Sequence, residues 1–76
     1  MRLGVLSLRF ASGERVEINK MKARGLVSEN AYKVKVISDG SIDKPLTIMA
    51  NDFDITAVKM IALLGGEAIK VKSKSK

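Results

Sequence analysis

The side chains able to do chemistry in this 76-residue chain are nearly all lysine, arginine, aspartate and glutamate, because histidine and cysteine are both absent. That absence excludes a Ser-His-Asp triad, a thiol nucleophile and a zinc site of the usual ligands. Asp39, Asp43, Asp52 and Asp54 fall in loops or at a helix cap. Structural hydrogen bonding accounts for such positions, so no catalytic residue, metal site or cofactor is expected. What remains is cation chemistry. Fourteen lysines and arginines against eight acids give a net charge of +6, which suits a polyanion such as nucleic acid. The candidate phosphate contacts are Arg9, Arg15, Lys20, Lys22, Arg24, Lys33 and Lys35 in the body, then Lys70, Lys72, Lys74 and Lys76 at the end. The last four carry most of the net charge, so residues 70–76 read as a lysine-rich tail on a mildly basic body. The alternative for such a tail is a solvated end that aids solubility.

Base stacking is not expected to dominate. Only Phe10, Tyr32 and Phe53 are aromatic, too few and too scattered for a single-strand stacking platform. Phe10 and Phe53 read as core. Tyr32, beside Lys33, reads as a cap on the edge of the core, with stacking on a base or ribose as its alternative. Phosphate contact and shape must then outweigh base readout. Met21, Met49 and Met60 fall on apolar faces and read as gap-filling core.

These residues need a scaffold, and 76 residues allow a single small domain that buries about 60% of its unfolded surface. No disulfide can supplement that core, which fits a reduced, intracellular setting. The opening MRLGVLSLRF is read as a strand or turn rather than a signal peptide, because Arg9 interrupts its apolar run. Residues 18–24 read as one or two turns of helix stopped by Gly25. KVKVIS alternates Val34 and Val36 with lysines and reads as a strand with one wet face, broken at Asp39-Gly40. PLTIMA is the next strand, and the direction of its pairing is left open.

The run FDITAVKMIALLGG gives the clearest element. Ala57, Met60, Ile61 and Leu64 form an i, i+3, i+4, i+7 stripe, Asp54 is placed to cap the first-turn amides, and Gly65 ends the helix. Phe53 could staple against Val58. Gly65-Gly66 is no phosphate cradle, because a helix C-terminus presents the negative end of the dipole. A final strand, Ala68 to Val71, leads into the tail. The fold class is α+β, with one main C-terminal helix and one short helix. No stretch approaches the roughly 20 apolar residues that span a bilayer, so no membrane partner is expected.

The ordered set FASGERV, KARGLV, VKVISDG, PLTIMANDFD, TAVKMI and GG resembles the C-terminal half of bacterial large-subunit ribosomal protein L-fifteen, in the superfamily shared with the L-eighteen-e proteins. Gly25 matches the glycine that ends the first helix, Gly40 the loop glycine, and Phe53, Gly65 and Gly66 the pattern around the main helix. Asp54 stands where the family usually has serine. The resemblance implies an irregular superhelix of β-β-α units over residues 1–69. It also implies a non-enzymatic role as a constituent of the large ribosomal subunit, with ribosomal RNA and neighbouring ribosomal proteins as partners. The place of work would be the cytoplasmic ribosome, or an organellar one. Such domains usually follow a long Gly-, Arg- and Lys-rich extension, which this chain is expected to lack. The family's basic residues before the helix are replaced by Met49, Asn51 and Asp52. An isolated half of a larger fold could instead cover its strand edges by self-association as a homodimer.

Overall fold

The computed structural model describes residues 1–72. The described elements run α1 (Leu3–Arg9), β1 (Arg15–Val16), α2 (Ile18–Ala23), β2 (Lys35–Val36), β3 (Thr47–Ala50), β4 (Asp52–Phe53), α3 (Ile55–Leu63) and β5 (Glu67–Lys70). The α+β class holds. Strands β1, β3 and β5 form one sheet in that order, and β2 pairs with β4 in a second. Every pairing among these strands is parallel: Val16 opposes Ile48, Ile48 opposes Ala68, and Val36 opposes Phe53.

The first ten residues differ from the strand or turn expected of them. They form helix α1, which buries Leu3, Leu6 and Ser7, with Phe10 buried just beyond its end. This is the i, i+3, i+4, i+7 face of a helix. Arg2 supplies no side-chain cap. The free amides of the first turn are met from elsewhere in the chain: Leu3 donates to Ile37 O at 2.9 Å and Gly4 to Asp39 O at 2.9 Å. Such a cap is tertiary and leaves no local signal. Gly4 permits it, because a Cβ there would lie 3.0 Å from Gly40 Cα.

Helices α2 and α3 end in the same way. Gly25 (φ +70°) and Gly65 (φ +82°) are left-handed. Gly25 N–H bonds Lys22 O while Leu26 N–H bonds Met21 O; Gly65 N–H bonds Ala62 O while Gly66 N–H bonds Ile61 O. Each pair is a Schellman closure that satisfies two otherwise orphaned carbonyls.

At the start of α3, Asp54 occupies the cap position but its carboxylate makes no cap hydrogen bond. Asp54 Oδ2 instead accepts from Ser38 N–H at 3.2 Å, tying α3 to the segment after β2. Val58, the expected staple partner of Phe53, is 40% exposed. Ala57 and Ile61 are fully buried, whereas Leu64 is a rim residue.

Two of the three expected strands, KVKVIS and PLTIMA, are shorter than their sequence runs. Lys35–Val36 is what remains of KVKVIS, although the alternation holds, with Val34 and Val36 buried and Lys33 and Lys35 exposed. The last strand starts one residue earlier than expected, at Glu67. The core joins these pieces: Leu3 and Leu6 from α1, Phe10 just past its end, Ile48 and Ala50 from β3, and Ala57 and Ile61 from α3. Among the described residues, no helix is long and apolar enough to cross a membrane.

Candidate nucleic-acid interface

Most of the expected cations among the described residues fall into two groups with different surroundings. The first gathers at Glu14. Arg24 Nη2 lies 2.6 Å from Glu14 Oε2, Arg24 Nη1 donates to Arg9 O at 2.7 Å, and the guanidinium sits 4.2 Å above the Phe10 ring. Lys20 Nζ donates to Arg15 O at 2.9 Å and is 4.0 Å from Glu14 Oε2. Arg24 and Lys20 thus fasten α2 to β1 and to the end of α1. Arg15 faces Glu17 at 3.7 Å.

Glu14 is held below the ordinary glutamate pKa, first by the Ala11 N–H that donates to it and then by the Arg24 hydrogen bond; desolvation opposes them, and the charges of Arg24 and Lys20 add to the lowering. A carboxylate with a depressed folded pKa adds stability above its unfolded pKa and loses that contribution as pH falls through the folded value. The urea midpoint should therefore fall as pH drops below about 4.3, and Glu14→Gln should flatten the Glu14 part of that fall. An unchanged acid limb in the variant would separate Glu14 from acid stability.

The second group surrounds the carboxyl ends of β3 and β5. Lys33, Lys70 and Lys72 line a cleft of about 540 Å³ together with Asn51 and Val71. Next to it, sharing Asn51, Val71 and Lys72, lies a cleft of about 490 Å³ that adds Lys22 and Tyr32. Asn51 holds the junction: its Oδ1 accepts from Val34 N–H at 2.7 Å and its Nδ2 donates to Val71 O at 3.1 Å. The sequence marks Asn51 only as a non-basic residue where the resemblance suggests a basic one. Its work as a clamp depends on β5 lying alongside β3, which no local pattern announces.

Lys33, Lys70 and Lys72 are exposed and Lys22 is half-buried; Lys70 Nζ is 3.7 Å from Asp52 Oδ1. Lys70 is the last residue of β5, so the first tail lysine belongs to the sheet. Lys74 and Lys76 lie outside the described residues. Tyr32 does not cap the core: it is 67% exposed. Arg9 and Lys35 are exposed as well.

Two cations not among the expected contacts serve the fold, with Arg2 3.5 Å from Asp39 and Lys44 Nζ donating to Phe10 O at 3.2 Å. Among the described residues no cluster of acids could hold a metal ion. The arrangement can meet an anion with several lysines at once.

Residues 1–69 match the family model that describes the ribosomal proteins 50S-L15 and 50S-L18e and their 60S counterpart. The chain is similar to the large ribosomal subunit protein uL15 of Thermosipho africanus, at 36% identity over 63 residues, covering 83% of this chain and 43% of the relative. The uL15 of Syntrophotalea carbinolica is 37% identical over 59 residues, or 78% of this chain and 40% of the relative. For the uL15 of Rubrobacter xylanophilus the identity is 33% over 67 residues, 87% and 44% of the two chains. The chain spans less than half the length of these relatives.

Proposed function

Because the chain belongs to the family of the ribosomal proteins 50S-L15 and 50S-L18e and their 60S counterpart, we propose that it is a structural constituent of the large ribosomal subunit that binds ribosomal RNA. It works in the cytoplasm, beside neighbouring ribosomal proteins, and without enzymatic chemistry. The observation that carries the RNA-binding part is the convergence of Lys22, Lys33, Lys70 and Lys72 on two adjoining clefts. These lysines come from α2, the segment before β2, and β5 with its continuation. Only the folded chain brings them to one face, and the core beneath fixes their spacing.

Affinity from such a face is mostly counterion release, so it must fall steeply with salt, by a log–log slope of about 0.9 per duplex phosphate neutralised. The test is retention of large-subunit ribosomal RNA transcripts by the purified chain across a salt series. Tight binding at low salt that weakens with a slope of several units is the expected result. Failure to retain these transcripts at about 50 mM salt, where phosphate contacts are strong, overturns the reading.

A further inference from the structure

The geometry points to a nucleotide-sized subsite beside Tyr32 that takes one unpaired RNA base, flanked by phosphates on Lys22 and Lys72. This rests on the RNA-binding reading and names what that face recognises.

Tyr32 is 67% exposed, far more than an aromatic residue serving the core, and it lines a cleft of about 490 Å³, within the range of small-molecule sites. The floor of that cleft is apolar, formed by Ile18, Val34 and Met49. It is also rigid. Val34 is buried at 5% exposure, and its N–H is clamped by Asn51. An apolar floor beside an open aromatic ring suits the π-face of a base and gains nothing from a phosphate.

The rim has the opposite character. Lys22 and Lys72 both line the cleft, and Lys72 also lines its neighbour with Lys33 and Lys70, so a backbone leaving the subsite stays among cations. Among the described residues Glu17 is the one acid on the rim; its carboxylate is 3.7 Å from Arg15 Nη1, which offsets its repulsion of phosphate. The side chain of Asn19, exposed on the same rim, offers both a donor and an acceptor to a base edge. Unstacked bases of loops and bulges are what RNA-binding surfaces hold on aromatic rings in this way, and duplex RNA presents none. The lysines then supply affinity and Tyr32 supplies position.

The test uses two RNA hairpins whose strands are joined by the same non-nucleotide linker in place of a base loop, one fully paired and one with a single added bulged purine, each titrated into the full chain at low salt. Tyr32 is the sole tyrosine, so its ring resonances report on the subsite without assignment. The bulged hairpin should bind about 10-fold tighter, the scale of one base stacked on an aromatic ring, and should shift the ring signals upfield. Tyr32→Ala should remove the preference while leaving affinity for the paired hairpin in place, and Tyr32→Phe should keep it. Equal affinity for the two hairpins, or a preference that survives Tyr32→Ala, overturns the subsite while phosphate binding stands. Binding to neither hairpin overturns the RNA-binding reading and the subsite with it.

Discussion

Gly66→Ala should lower stability by about 3 kcal/mol, the upper end of overpacking costs. The methyl would collide with Leu46 O and stand 2.9 Å from Leu46 N and 3.1 Å from Ile61 Cγ2. Two of those atoms belong to backbone, so no rotamer change relieves the contact. Glu67 N–H donates to the same Leu46 carbonyl at 3.0 Å, and any displacement of it would disturb the start of the β3–β5 pairing. A domain of this size is stable by roughly 4–11 kcal/mol, and each kcal/mol moves its melting temperature by about 4–8 °C, so a drop of about 12–24 °C is expected. Gly13→Ala is the informative control. Gly13 has φ +80° but nothing lies within 4 Å of the added methyl, so only the left-handed backbone penalty of about 1–2 kcal/mol applies. Thermal melts followed by circular dichroism compare the two, and a Gly66→Ala melt no lower than that of Gly13→Ala would refute the close approach.

The other large effect is on RNA. Exchanging Lys22, Lys33, Lys70 and Lys72 together for glutamine should flatten the slope of log K against log salt by about 3–4 units if each lysine neutralises one duplex phosphate. Extrapolated from about 1 M, that difference weakens binding by about 10³-fold at about 0.1 M salt. Substitution is the right perturbation here, because deleting residues 70–76 would also remove the Val71 N–H bond to Ala50 O at 2.8 Å and the Val71 carbonyl that Asn51 holds. A matched exchange of Lys20 and Arg24 should behave differently. Those side chains already serve Glu14 and the backbone carbonyls of Arg15 and Arg9, so their loss should lower stability more than it flattens the slope. The reverse ranking would move the RNA face to the Glu14 side of the molecule.

How much of this was legible depends on where each signal lies in the chain. The α3 stripe places Ala57 and Ile61 in the core, and Gly25 and Gly65 stand where α2 and α3 end, because helix periodicity and left-handed stops are local properties. Helix α1 was not legible. Leu3, Leu6 and Phe10 fit a helical face, but Gly4 lies within it and no capping side chain precedes it; the amides of its first turn are met by Ile37 and Asp39, more than thirty positions away. Asp54 misled for a related reason: a carboxylate at a cap position has a good local partner, yet Ser38 N–H and the 3.5 Å contact with its hydroxyl drew it across the chain. The candidate site follows the same rule. Its lysines could be named from composition, but their sorting into a Glu14-bound group and a cleft-lining group depends on the parallel register of β1, β3 and β5.

That register also governs how the chain reaches its final form. Arg15 pairs with Thr47 and Thr47 with Glu67, so neither edge of the three-stranded sheet can be closed by a short hairpin. Loop entropy must be overcome before long-range pairing returns any energy, and chains built this way collapse to order slowly. During translation at the usual N-to-C direction, β3 has only β1 beside it until Glu67–Lys70 emerges, and its other side stays open to stray partners. Among the described residues, the sheet is complete only once β5 pairs with β3.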